Sequence, residues 1–182
     1  MMQNLQIRSV EMEDAQDLCA IYNPFITGTN ITFEETPVDT LEMKRRIARV
    51  REETLPWFCA EVNHKLAGYA YATQWRERSA YRFTVESTIY LSPEYAGKGL
   101  GENLYSVLLE RIQAAGKRNV IAVITLPNPA SIALHEKLGF IKTAHFPEVG
   151  FKFNRWLDVG YWQLSFSMDP DQSSPLDEKP TS

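Results

Sequence analysis

Read for its alternation of apolar and polar positions, the chain opens with LQIRSV (5–10), a short strand. It passes into DAQDLCAIYNPFI, where Ala15, Leu18, Ile21, Tyr22 and Phe25 recur at the spacing of one helix face. Asn23-Pro24 is expected to disturb that helix, because proline lacks a backbone donor and crowds the preceding turn. Thr36-Pro37-Val38-Asp39 predicts a second helix start, with threonine as cap, proline at the first helical position and an acid answering the cap. Leu41, Ile47 and Val50 follow among Lys44, Arg45, Arg46, Arg49 and Arg51. The basic run reads as a solvated helix face, since Glu42, Glu52 and Glu53 are interleaved with it.

WFCAEV (57–62), a turn at Asn63-His64-Lys65, and LAGYAYATQW (66–75) form a hairpin. A polar segment then leads to the strand FTVESTIYL (83–91). A third helix starts near Gly99-Leu100-Gly101, carries Leu104, Val107, Leu108 and Ile112 as its apolar stripe, and closes around Gly116. VIAVITL (120–126) is almost continuously apolar, the pattern of a strand covered on both faces. A short helix over about 129–138 ends at Gly139, and aromatic-rich segments at 140–153 and 156–166 supply the last strands. The polar, proline-bearing tail over 169–182 is expected to be disordered. This order implies one α+β (α/β mixed) domain over 1–168, a central mixed, mostly antiparallel sheet flanked by helices on both faces.

With 182 residues, 44% hydrophobic and 23% charged, the chain suits a single soluble globular domain. A net charge of -4 and the lack of a concentrated basic face argue against nucleic acid as a partner. No apolar run is long enough to span a membrane, and MMQNLQIRSV has no secretory-signal pattern, so the cytoplasm is the expected location. Cys19 and Cys59 are far apart among apolar neighbours, and His64, His135 and His145 show no ligand spacing, so neither a disulfide framework nor a metal site is expected.

The candidate chemistry sits in VESTIYLSPEYAGKGLGENLY (85–105). Glu86 interrupts an apolar strand, and Gly97, Gly99 and Gly101 then lead into a helix, where unobstructed N–H groups and the helix dipole favour an anion such as a diphosphate. Gly-Lys-Ser/Thr is absent, so this is not the nucleotide P-loop, nor does its context suit a dinucleotide fingerprint. A tight strand-to-helix turn would also need such glycines.

YAGKGLGENLY resembles the acetyl-CoA pyrophosphate motif of the GNAT acetyltransferases, and NPASIALHEKLGF (128–140) resembles their second cofactor motif. YATQWRERSAY (71–81), VESTIYLSP (85–93), VIAVITLPN (120–128) and GFKFNRWLDVGYWQLSF (150–166) are similar to segments of the phosphinothricin N-acetyltransferase family. The resemblance runs from about residue 5 to 168. It implies a GNAT fold and acetyl-CoA as co-substrate without a metal. The implied acceptors are the α-amines of phosphinothricin, methionine sulfoximine and methionine sulfone. It also implies a homodimer. Herbicide resistance and disposal of oxidised methionine analogues would call for the same pocket.

For the cofactor, the resemblance implies backbone contacts from Ile89, Tyr90 and Leu91 to the pantetheine arm. Gly97, Lys98, Gly99, Leu100, Gly101 and Glu102 would surround the diphosphate, and Asn128 would hydrogen-bond the cofactor from the far side. The superfamily usually has Gln or Arg three residues before Gly99; Ala96 stands here and leaves the diphosphate to the backbone. Glu86 fits the family's Glu-Ser-Thr base, taking a proton from the substrate ammonium directly or through water. Arg76, Glu77 and Arg78 carry over as substrate-binding candidates, with Ser87, Thr88, Phe33 and Glu34, the last two close to the pocket and supplied by this subunit or its neighbour. His135 occupies the place of a tyrosine that protonates the leaving thiolate in many of these enzymes, and water is the other candidate donor.

The expected activity is direct acetyl transfer without a covalent acetyl-enzyme. A peptide N-terminus as substrate needs an open groove, and a polyamine needs an acidic one; the paired arginines favour a small anionic substrate. A non-catalytic CoA-binding protein would carry the same glycine loop.

Overall fold

The computed structural model describes residues 4–167, so the tail expected to be disordered lies outside the described residues. Seven strands form one sheet in the order β1-β2-β3-β4-β5-β7-β6. β1 (Leu5–Ser9), β2 (Trp57–Val62), β3 (Lys65–Gln74) and β4 (Thr84–Leu91) are successive antiparallel neighbours. Asn63 and His64, both at positive φ, turn the chain between β2 and β3, and Lys65 already belongs to β3. β5 (Asn119–Leu126) runs parallel to β4, while β7 (Arg155–Ser165) and β6 (Ile141–Lys152) complete the sheet antiparallel. The mixed, mostly antiparallel sheet matches the expectation from the hydrophobic pattern.

Among the described residues four α-helices cover the sheet: α1 (Ala15–Gly28), α2 (Thr40–Glu52), α3 (Leu100–Ala114) and α4 (Pro129–Lys137). The alternation of β4 sorts them between two faces. Tyr90 meets Tyr22 and Phe25 of α1, at ring-centroid distances of 4.7 and 5.2 Å. Ser87, on the opposite side of the same strand, meets Tyr105 of α3. Leu100, Leu104, Leu108 and Ile112 of α3 are fully buried. Burial of such a side chain stabilises the fold by about 2 kcal/mol.

Three local expectations are corrected. α1 continues through Pro24 to Gly28, because Leu18, Tyr22 and Ile26 are buried on one side of it, and that packing outweighs the lost backbone bond. Asn23 also ties the helix to the next loop: its Nδ2 donates to the Val38 carbonyl at 3.0 Å, and its Oδ1 accepts from the Val38 N–H at 2.9 Å. With Val38 held there as a buried plug, α2 starts later than Thr36. Asp39 is its cap, accepting from the Glu42 N–H at 2.7 Å. Thirdly, β5 is not covered on both sides throughout, since Val123 is exposed.

The capping assignment predicts that Asp39→Ala lowers stability by about 1 kcal/mol. Thr36→Ala should stay within about 0.5 kcal/mol of the parent, as expected of a surface substitution. Urea unfolding of the two variants checks this, and the reverse ranking would restore the earlier helix start.

Candidate active site

β4 and β5 are held together only at Thr84–Asn119, Val85–Val120 and Glu86–Ile121. Beyond that point each follows its other neighbour: β4 stays paired with β3 as far as Leu91, and β5 stays paired with β7 as far as Leu126. The sheet therefore opens at Ser87, leaving the facing backbone edges of Thr88–Leu91 and Ala122–Leu126 without the ladder that would join them. Such edges hold hydrogen-bonding groups for an extended ligand. Ile89, Tyr90 and Leu91 lie on one side of this opening.

The glycine loop closes its far end. Gly97 and Gly99 have φ of 72° and 82°, in the left-handed region, and Gly99 is the residue at which α3 begins. Gly101 serves a different need: a Cβ there would lie 3.1 Å from Leu91 Cδ1, so its absence lets α3 sit against the end of β4. The first helical hydrogen bond runs from Asn103 N–H to the Gly99 carbonyl. Leu100, Gly101 and Glu102 thus precede the internal ladder, and their N–H groups have no intrahelical acceptor. The Glu102 carboxylate that would repel an anion is paired with Lys137 at 2.6 Å. Lys98 and Ala96 are exposed at the rim. Asn128 caps α4, its Oδ1 accepting from the Ser131 N–H at 3.2 Å, which leaves its amide NH2 as the donating group.

Glu86 lies half-buried on the α1/α2 face, opposite Thr73 of β3 and on the same side as Thr88 and Tyr90. Burial raises its pKa above the usual carboxylate range, and the nearby Arg76 guanidinium opposes part of that rise. A cleft of about 660 Å³ reaches Thr73, the residue paired with Glu86; Arg76, Glu77, Arg78 and Tyr81 line it, with Arg49 of α2 and the C-cap residue Glu53. Arg76 stacks over the Trp75 ring at 4.5 Å. The cleft gathers Arg76, Glu77 and Arg78, and Arg76 is near enough to Glu86 to act on its charge; Thr88 shares the Glu86 face of β4 without lining the cleft, and strand alternation turns Ser87 to the α3 face.

There Ser87 begins a buried chain. Its Oγ is 2.5 Å from the Tyr105 hydroxyl, which lies 3.0 Å from His135 Nε2. His135 Nδ1 is 2.7 Å from the Ser131 carbonyl, which can only accept, so Nδ1 carries a proton. Burial lowers the imidazole pKa, so the neutral tautomer follows, with Nε2 accepting from Tyr105. His135 is 3% exposed and has no free ring nitrogen. Sequence reasoning missed Tyr105; the only signal was a tyrosine beside an apolar stripe, whose phenol needs a partner once buried.

Glu34 is also engaged within the chain. Arg46 grips its carboxylate at 2.7 and 3.0 Å, and the Tyr22 hydroxyl donates to it at 3.0 Å. Arg46 is accordingly not part of a purely solvated face. Lys152 is buried and donates to the Thr32 carbonyl at 2.7 Å, and the Phe33 ring lies against Gly150, whose missing side chain makes room for it. These contacts fasten the segment carrying Phe33 and Glu34 to α2 and to the β6–β7 hairpin.

A sheet split between two parallel strands, with a glycine-rich loop at the open end and a half-buried acid at the closed one, defines an N-acetyltransferase. The chain belongs to the acetyltransferase (GNAT) family, whose model matches residues 16–140. It is 38% identical to a phosphinothricin N-acetyltransferase of Streptomyces viridochromogenes, covering 90% of this chain and 89% of the relative. It is 37% identical to an L-methionine sulfoximine/L-methionine sulfone acetyltransferase of Pseudomonas paraeruginosa, over 93% of this chain and 98% of that one. A solved phosphinothricin acetyltransferase from Sinorhizobium meliloti, in complex with AcCoA, matches with a TM-score of 0.88 and 37% identity, covering 100% of both chains.

Tyr105→Phe should cost about 1–3 kcal/mol, since it leaves His135 Nε2 buried without its donor. Thermal unfolding measures this; an unchanged midpoint would show that Nε2 finds another partner.

Proposed function

We propose that this protein uses acetyl-CoA to acetylate the α-amine of small amino acids such as phosphinothricin, methionine sulfoximine and methionine sulfone. One observation carries the reading: the sheet opens immediately beyond Glu86, so a thioester threaded into the opening from the glycine loop ends beside a half-buried carboxylate. No group of three or more His, Cys, Asp or Glu suited to a metal occurs among the described residues, and the reading requires none.

The pantetheine arm extends along Ile89, Tyr90 and Leu91 as an added strand would. The diphosphate rests on the N–H groups of Gly97–Glu102, with Lys98 as a mobile point charge and the Asn128 amide as a further donor. Arg76 and Arg78 bind the substrate carboxylate, with Glu77 and Thr88 beside them. Glu86 removes a proton from the ammonium, directly or through water. The neutral amine attacks the thioester carbonyl, backbone N–H groups of the opened strand stabilise the tetrahedral oxyanion, and the C–S bond breaks. The departing thiolate takes its proton from water in this reading, because His135 Nε2 accepts from the buried Tyr105 hydroxyl and has none to give; Ser87 holds that hydroxyl from the β4 side. Phe33 and Glu34 shape the pocket rim, Glu34 through its grip on Arg46.

The chain also pairs as a homodimer in this reading. Ile141 and Trp156 of β6 and β7 are 72% and 61% exposed, and Val149 and Phe151 extend the apolar surface. Sedimentation should give twice the chain mass, and Trp156→Asp should shift the protein towards monomer; a wild-type monomer at micromolar concentration ends the dimer assignment.

Free-thiol release with acetyl-CoA and the three amino acids tests the activity. Glu86→Gln should lower kcat about 100-fold or more with little change in KM, whereas Arg76→Ala should chiefly raise KM. Activity requires the Glu86 carboxylate and falls as pH drops through its raised pKa. Because Arg76 stabilises the charged form, Arg76→Ala should move the acidic limb of the rate profile to higher pH. A limb that moves to lower pH, or a fully active Glu86→Gln, would remove Glu86 as the base.

A further inference from the structure

Lys137 is the last residue of α4, and its Nζ lies 2.6 Å from Glu102 Oε2, where α4 meets the first turn of α3. The two helices are held together on either side of that pair. The Tyr105 hydroxyl is 3.0 Å from His135 Nε2, and Leu134 comes within 3.4 Å of where a Cβ of Gly101 would stand. Both partners of the pair are themselves exposed, and such a pair stabilises a fold little. Its effect is on the charge beside the glycine loop. α2 and α4 occupy first-turn N–H groups with their own caps, Asp39 accepting from Glu42 and Asn128 from Ser131. α3 has no such cap, because Gly99 carries no side chain. A Cβ added at Gly97 or Gly99 would meet no atom within 4 Å beyond its chain neighbours, so the fold leaves that side of the loop unfilled. Into this open first turn the chain puts Glu102, and a carboxylate there is drawn to the same positive helix end that an anionic ligand uses.

Resting on the reading that the loop holds the diphosphate of acetyl-CoA, we propose that Lys137 is a positioning residue for the cofactor and acts through Glu102. By pairing with that carboxylate it draws it aside towards α4 and cancels its charge. The N–H groups of Leu100, Gly101 and Glu102 are then free to meet a diphosphate instead of the acid of their own helix. Lys137 itself touches no phosphate. It sets the affinity for any ligand that carries the diphosphate, and it leaves the acetyl-transfer step at Glu86 as it is.

Calorimetry with CoA and with 3′-dephospho-CoA, on the full-length protein and on Lys137→Met, Glu102→Ala and the double variant, tests this. Lys137→Met should weaken both ligands about tenfold, the effect of an uncompensated negative charge beside the diphosphate. In turnover it should raise KM for acetyl-CoA by the same factor, with kcat within about twofold of the parent. Glu102→Ala should bind both ligands at least as tightly as the parent. The double variant should bind within about twofold of Glu102→Ala, since Lys137 then has nothing to neutralise. A double variant as weak as Lys137→Met would make the lysine a direct phosphate contact and overturn the proposal. A loss seen with CoA but not with 3′-dephospho-CoA would place it on the 3′-phosphate and overturn the proposal too, as would a Lys137→Met variant that binds like the parent. All three variants should melt with the parent, and an affinity loss that tracks a lowered midpoint would mark a structural role instead. A wild type that binds neither ligand overturns the cofactor reading and this proposal with it; one that binds both yet acetylates none of the three amino acids overturns the substrate reading alone.

Discussion

The parting of β4 from β5 is the constraint on which the rest depends. Two parallel strands that could continue pairing stop after Glu86–Ile121, while each stays paired along its length with the antiparallel neighbour on its other side. The sheet behaves as two half-sheets joined at one end, and an opening between them would be costly if its backbone groups were buried without partners. It is tolerated because it faces the mouth closed by the glycine loop, where an extended ligand or water can satisfy those groups. Gly101 belongs to the same constraint: without a side chain it lets α3 seat against Leu91, fixing the end of β4 relative to the helix N-terminus.

Strand alternation then divides the chemistry. Glu86 and Thr88 project on the face that α1 covers, while Ser87 projects under α3 and begins the buried chain to Tyr105 and His135. Acid and imidazole thus sit on opposite sides of one strand. That separation keeps a carboxylate with a raised pKa from pairing with a histidine that burial keeps neutral. The carboxylate and the imidazole can thus hold their own protonation states on opposite faces of β4.

The segment between α1 and α2 shows how much of the site lies outside any motif. Glu34 looks from its place beside Phe33 like a group free to meet substrate. Its carboxylate is instead held by Arg46 and Tyr22, and its segment is pinned by Lys152. Arg46 and Arg49 belong to a basic run that reads as solvent-facing, yet the first is half-buried in this latch and the second lines the cleft. Periodicity assigns a helix its apolar stripe; it does not say which polar flank meets another element.

The residues themselves determined the element order, the mixed sheet, the glycine loop at the start of α3 and the presence of Glu86 in an apolar strand, because each is written in a local period or a short motif. Pairing within the chain decided the remainder. Whether Pro24 breaks α1 depended on what Tyr22 and Ile26 bury against, and whether Thr36 or Asp39 caps α2 depended on Asn23 holding Val38. Tyr105, Arg49 and Glu53 acquired their places only when α3 and α2 were laid across the sheet. Local sequence sets which backbone conformation is cheapest, but the partner of a polar side chain comes from distant elements, and only the folded arrangement brings it within a hydrogen bond's reach.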